Sequence, residues 1–500
     1  ALIYLSDSFR ARWKNIYPVT LSYQGNVQPF FGLLDTGNFL VDPISQKEVF
    51  IIKPEVLEAL LPQENADRLK HLKENPGELE STEPADLHPH FLPYKTTGAD
   101  AVIVVMSGDY VQRGVPAVMP KRLRAESALE CGASAVFELP VCYSTGSAEL
   151  FAESAVALLD QLQIVDSLCF GSECGDLDAL SEIADLLCQE PKDYRSLLKK
   201  HLRNGLSFPC ARRKALKEYL PEKNFAALLD EPNNILGIEY LKAIRKLKST
   251  IKPYTILRKG ARYHDQELST ENLSSASAIR SLLSYSGSSL RKYDDLPKGA
   301  FDDTAPFNIF GELESQVPQC CLKLLKDCHK VSYPIYQNDF SLILKYKLLN
   351  KYPENLLRYM DVSEELANRI CSRLNYFFNY KQFCDLLKTR ELTQTRINRA
   401  LLHIMLGIKK TDVEEYIDGG YHFYARLLGF RKDREKLLTR ISKESSLPLL
   451  IRLSETETIP PLGRKMLRND MLASNLYTSV VTDKFKTAFQ NEYKQKVIKI

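Results

Sequence analysis

Apolar and polar positions first alternate in the opening segment. Tyr17–Tyr23 (YPVTLSY) predicts a strand, Gln24-Gly25-Asn26 a turn, and Val27–Leu34 (VQPFFGLL) a second strand. Glu48–Ile52 predicts another short strand and Pro54–Leu61 a helix, while residues 62–90 are polar and broken by prolines, as in a connector. The pattern changes near Ala99. Ala101–Met106 (AVIVVM) is a continuous apolar run, followed by helical periodicity over Arg122–Cys131. Ala135–Leu139 and Ser167–Phe170 are again strand-like and flank a helical Ser147–Leu162. Strands alternating with helices predict parallel βαβ units, whose ligands bind at the carboxyl ends of the strands. Beyond Asn308 strand signals almost vanish. Amphipathic helices are expected at Glu364–Phe378, Thr393–Leu406 and Val413–Leu428.

Composition narrows the class. With 44% hydrophobic and 26% charged residues, the 500-residue chain matches soluble globular proteins and neither disordered nor fibrous ones. No apolar run approaches the ~20 residues of a membrane span. The chain starts with Ala and shows no export signal, so a cytoplasmic location and an origin within a longer or processed protein are expected. The net charge of +4 hides an asymmetry. Residues 386–500 hold 22 Lys+Arg against 13 Asp+Glu, whereas residues 1–94 hold 8 against 13. A basic helical tail suits a polyanion such as RNA, and equally a solvated surface. Eleven cysteines without a C-x-x-C fit a reducing compartment. No metal site is expected: Cys320, Cys321, Cys328 and His329 lie together, but the spacing fits buried thiols on a helix better than paired knuckles.

The opening segment contains Leu33-Leu34-Asp35-Thr36-Gly37-Asn38. Aspartic proteases use such a D-T-G turn to hold one of two carboxylates that share a proton and activate water. With YPVTLSYQGN before it and LLDTGNFLVDPISQKEV and HFLPYKTTG following, residues 1–97 resemble part of the protease domain of the sporulation sigma-factor processing peptidase. The resemblance implies a β-rich half-protease in which Asp35 is catalytic only beside the Asp of a second copy. It carries none of that family's membrane helices, so no stable membrane contact is expected.

Residues 98–500 resemble the bacterial tRNA(Met) cytidine acetate ligases of the HxGH-type nucleotidyltransferase superfamily. The blocks that carry the match are Thr97–Asp100, Met106–Gly114 (MSGDYVQRG), Glu138-Leu139-Pro140, Ser167–Glu173, Pro232–Gly237, Ile256–Lys259, Tyr263-His264-Asp265 and Ser274–Arg280. The resemblance implies a Rossmann-like α/β core over 98–305 that lacks its first strand, and an all-α tRNA-binding domain over 306–500. It also implies ATP with Mg²⁺ as cofactors, and acetate and elongator tRNA(Met) as partners. A carboxylate attacking a triphosphate meets like-charge repulsion, so cations and oriented donors are required. On that logic Arg280 is the candidate catalytic cation. Arg258, Lys259, Ser275 and Ser277 are expected on the phosphates, and Gly171, Asn233 and Asn234 around the nucleoside. Capping and turn roles remain open for the serines, the asparagines and Gly171. For the tail, the candidates for the RNA backbone are Arg396, Arg399, Lys409, Lys410, Arg464 and Lys465.

The resemblance departs at one place. A strand leading into H-x-G-H should precede Thr97-Gly98, yet Glu80–Thr97 holds only His88-Pro89-His90. Impaired turnover is therefore expected, with a protease fragment or a non-catalytic tRNA binder as alternatives.

Overall fold

In a computed structural model, residues 99–500 are described except 207, 222–224, 259–275, 286–308, 315, 390 and 455; of the first 98 residues, three strands are described. Ala1–Ala99 and Asp100–Ile500 form two compact units. In the first, β1 (Leu2–Ile3) pairs antiparallel with β3 (Asn26–Leu34), and β3 pairs with β2 (Ile16–Tyr23) from Leu33↔Ile16 to Asn26↔Tyr23. The expected strand Glu48–Ile52, the helix Pro54–Leu61 and Asp35 lie outside the described residues.

The second unit starts with β4 (Ile103–Ser107), the small hairpin β5 (Tyr110–Val111) and β6 (Val115–Pro116), α1 (Lys121–Glu130) and β7 (Ala135–Leu139). Next come α2 (Ala148–Gln161), β8 (Ser167–Ser172), α3 (Pro232–Lys246), β9 (Lys252–Leu257), α4 (Ala276–Tyr285) and α5 (Gln319–Cys328). The remainder includes α6 (Gln394–Leu406), α7 (Lys410–Asp418), β10 (Ala425–Phe430), β11 (Leu449–Leu450), α8 (Pro461–Phe485) and β12 (Ile498–Lys499). Local chemistry sets several of these boundaries. The hydroxyls of Ser147 and Thr393 accept the Leu150 and Arg396 amides at the starts of α2 and α6, and Gly407 ends α6 in a left-handed conformation.

The tail is not all-α. The main sheet runs β11-β10-β7-β4, with β12 also on β10. β4 and β7 are parallel, as expected, but β10 lies antiparallel to β7, with Leu427 opposite Phe137. The expected helix Val413–Leu428 breaks at Gly419-Gly420, where Gly420 has φ +95°, and its last residues become a fully buried strand. A short apolar run such as Ala425–Phe430 carries no period of its own, so the helical pattern before it masked the change. One hydrophobic core joins Phe137 of β7 and Leu158 of α2 to Leu401 of α6 and Tyr477 of α8. A second, around Phe170, Leu180, Ile183 and Ile238, packs under β8 and α3. There, a side chain at Gly237 would strike the Phe170 ring at 2.5 Å.

Charges are buried where the tail meets the first strands. Lys121 Nζ contacts both Glu138 oxygens at 2.9 and 3.0 Å, Glu492 at 2.9 Å and the Ser474 hydroxyl at 2.7 Å. Arg426 of β10 pairs with Glu138 at 3.0 Å and with Glu492. Asp109 accepts the Lys121 amide at 2.8 Å, and burial pushes its carboxyl upward. Nearby, Asp470 accepts from the Val141 amide and the Tyr424 hydroxyl, each at 2.7 Å; burial raises it to about 6. Gly108 is required here, because a Cβ would lie 2.3 Å from a Glu138 oxygen.

His422 gives the fold a pH response. Its Nε2–H donates to the Ser154 carbonyl at 2.7 Å, and burial lowers its pKa to about 4. The unfolded chain therefore binds this proton more tightly, and the contribution is complete above the ordinary value near 6.5 and lost as pH falls toward 4. A His422→Gln variant, which keeps a donor without titrating, should show about 2–3 kcal/mol less destabilisation across that window. Urea unfolding at pH 7 and pH 4.5 for both proteins measures the difference. His403 is depressed by burial in the same sense and Asp470 acts oppositely, so parallel pH slopes for the two proteins would count against His422.

Candidate functional site

Strands β8 and β9 run parallel from Ser167↔Lys252 to Ser172↔Leu257, so both deliver their carboxyl ends to one place. The chain leaves β8 at Gly171-Ser172-Glu173 and leaves β9 at Arg258. The Arg258 amide donates to the Ser172 carbonyl at 2.9 Å. Its stem crosses Gly171 so closely that a Cβ there would meet the Arg258 Cγ at 3.2 Å. Glycine thus keeps this strand end low and leaves the exposed guanidinium above it.

The loop after β8 is fastened to α3 from both sides. The Glu173 carboxylate accepts the Asn233 and Asn234 amides at 3.2 and 2.8 Å and also takes the Asn233 side chain. In return the buried Asn234 Oδ1 accepts the Glu173 and Cys174 amides at 2.9 and 3.1 Å. Ser172 Oγ braces the turn through Thr255 at 2.7 Å and the Gly175 amide at 3.0 Å. The first amides of α3 already hold an anion, the Glu173 side chain. A phosphate near this loop would therefore depend on cations.

A second cationic point forms elsewhere. Arg280 lies on α4; partial burial and, secondarily, the positive charge of Arg280 lower the Arg113 pKa, and partial burial lowers Arg280 itself. Arg113 sits in the β5–β6 turn, which Gly114 closes with φ +73° and a 2.8 Å bond to the Val111 carbonyl. A Cβ at Gly114 would meet the Arg399 backbone nitrogen at 2.3 Å, so the turn rests directly on α6. Sequence reasoning had Arg113 only inside a motif block. The signal was the glycine after it, which forces a tight turn and displays the preceding side chain. Lys259 and Ser275 lie outside the described residues, and for Ser277 only its place in the first turn of α4 is described.

The six candidate RNA contacts are distributed over three helices and their caps. Arg399 forms a two-point pair with Asp361 at 2.9 and 3.1 Å, and the Arg396 charge also acts on Asp361, which is held below its usual value. Lys410 donates to the Val362 carbonyl at 2.9 Å and Arg464 to the Ile459 carbonyl at 2.9 Å. Lys465 bridges Asp412 at 2.8 Å and Glu415 at 3.0 Å, while Lys409 is the N-cap of α7. Four of the six are thus engaged within the chain by a direct contact. A cleft of about 830 Å³ lies beside α2 and α3 with Arg212, Lys242 and Arg399 on its walls, and Gly171 does not line it.

Residues 92–493 match the family model described as HIGH Nucleotidyl Transferase, and residues 1–114 match Sporulation factor SpoIIGA. A tRNA(Met) cytidine acetate ligase of Acetivibrio thermocellus is 38% identical over 408 residues, 81% of this chain and 94% of that protein. One from Caldanaerobacter subterraneus subsp. tengcongensis is 39% identical over 386 residues, 77% and 89% respectively. Among solved structures, Thermotoga maritima TmcAL in its apo form I matches with a TM-score of 0.71 at 29% identity, covering 80% of this chain and 92% of that one. The form bound to alpha-thio ATP matches at 0.69 and 28%, with the same coverage. Among the described residues, no helix is long and apolar enough to cross a membrane.

Proposed function

Because the chain belongs to the HIGH nucleotidyl transferase family, with the tRNA(Met) cytidine acetate ligases as its relatives, we propose that it joins acetate to tRNA(Met) at the expense of ATP. An acetate oxygen attacks the α-phosphorus of ATP; the new O–P bond forms as the bond to pyrophosphate breaks. The exocyclic amine of the wobble cytidine then attacks the acetyl carbon, AMP leaves, and the amine gives up a proton. The observation that supports this most directly is the strand end built by Gly171 and Arg258, in a fold that matches a structure holding alpha-thio ATP.

In this reading Arg258, Lys259 and Arg280 neutralise phosphate charge, and Ser275 and Ser277 add donors. Gly171 admits the nucleoside, while Asn233 and Asn234 hold the floor of its pocket through Glu173. Mg²⁺ would arrive on the triphosphate, because Glu173 at this loop is already committed to α3 and Asp176 caps the helix that follows. Arg396 and Lys409 meet the tRNA backbone, and Arg399, Lys410, Arg464 and Lys465 join them only by giving up the internal partners described above, so affinity falls steeply with salt. Without an H-x-G-H segment the adenylation step is slow, since the loss of one such electrostatic group costs roughly 10²-fold.

Acetate-dependent exchange of labelled pyrophosphate into ATP tests the first half-reaction, and acetylation of tRNA(Met) the second. We expect exchange above background. Salt-sensitive tRNA binding with no exchange would replace the ligase by a non-catalytic RNA binder. The match of residues 1–114 to Sporulation factor SpoIIGA supports a separate role for Asp35 as one half of a paired-carboxylate protease site.

A further inference from the structure

Cys131 terminates α1, and Cys320 and Cys321 stand in the first turn of α5, nearly two hundred residues later. Their sulfurs converge. Cys131 Sγ lies 3.4 Å from Cys321 Sγ and 3.9 Å from Cys320 Sγ, and all three fall within 4.8 Å of one another. In a tetrahedral zinc–thiolate centre, bonds of about 2.3 Å put neighbouring sulfurs about 3.8 Å apart. The thiols already stand close to ligand spacing. Cys328 and His329, which the sequence groups with this pair, go elsewhere: His329 packs edge-on against Phe310 and tilted against Tyr333. Cys131 takes their place, and no local spacing reveals it.

We propose that Cys131, Cys320 and Cys321 form a three-thiolate site for a divalent cation of the zinc class, with its fourth position open to water. Cys131 is exposed and the other two are half-buried, so a hydrated ion can enter from solvent. Binding exchanges three S–H bonds for three metal–sulfur bonds and releases three protons. The ion would fasten α1 to α5 at the edge of an apolar cluster formed by Leu123, Leu322 and Leu325 with Leu282 and Leu283 of α4. It would thereby stiffen the helix that carries Arg280. The site itself rests on geometry alone and is independent of the ligase reading.

The full-length chain, reduced and freed of metal by a chelator, is titrated with Cd²⁺ and then Zn²⁺. The expected result is one equivalent of Cd²⁺ bound with a sulfur-to-metal charge-transfer band sized for three thiolates, displaced by Zn²⁺. Cys131→Ser and Cys321→Ser should each weaken binding about tenfold or more, and Cys328→Ser should not. If either serine variant fails to fold, alkylation of the parent chain read by mass spectrometry decides, with Zn²⁺ protecting Cys131, Cys320 and Cys321 together. Absence of the band, protection of other cysteines, or a Cys131–Cys321 disulfide that forms despite added metal overturns the proposal.

Discussion

Replacing Glu138 by Gln should destabilise the second unit by about 3–5 kcal/mol, the usual consequence of removing one partner from a buried ion cluster. The Glu138 carboxylate is shared between Lys121 and Arg426, and all three groups are buried. The neutral variant leaves two cations to Glu492, while Asp109, raised by burial, offsets them poorly. Burial and Arg426 act to lower Lys121, yet the surrounding carboxylates prevail and hold it above its ordinary value. Weakening those carboxylates reverses that balance. The midpoint of urea unfolding, followed by circular dichroism, measures the loss; a change below about 0.5 kcal/mol, the range of ordinary surface substitutions, would refute it. A combined Lys121→Met and Glu138→Leu replacement should recover part of the stability, because it removes one charge of each sign and leaves the Arg426–Glu492 pair intact.

Arg280→Ala should lower acetate-dependent ATP–pyrophosphate exchange by about 10²–10³-fold in kcat/KM, the scale for losing a group aimed at developing charge. Arg113 is lowered first by burial and then by the positive charge of Arg280, so the two guanidinium groups repel each other. An anion between them would remove that penalty, which is why the proposed phosphate role falls on Arg280. Although its guanidinium is partly screened, the Arg280 side chain is largely solvent-accessible on α4, so unfolding should change little. Arg280→Lys should restore only part of the rate, since a point charge does not reproduce the fork of a guanidinium. Exchange within twofold of the parent, with unchanged ATP affinity, would remove Arg280 from the site.

The parallel strands and the helix between them were legible because their apolar runs are bounded by small or capping residues: Ala135–Leu139 is strand β7, and Ser147 caps α2 as its position suggests. Gly171 and Arg258 were legible as separate residues, and their contact was not, because pairing β8 with β9 sets it. Other motif residues turned out to support the scaffold. Gly108, Asp109 and Glu138 belong to the blocks that carry the family resemblance, and they build the buried ion cluster. Such a cluster leaves no periodic trace, since its members come from the first strands and from Arg426 and Glu492 near the far end of the chain. The Asn233–Asn234 pair shows the same limit: its capping partner, Glu173, lies sixty residues away.

The position of β10 has a consequence during synthesis. β7 leaves the ribosome nearly 290 residues ahead of the strand that covers its second edge. At roughly 5–20 residues per second, that edge stays uncovered for about 15–60 s. Nascent chains released before Ala425 would never cover it, and quality-control proteases and holdases would meet them as sticky fragments with an adhesive hydrogen-bonding rim.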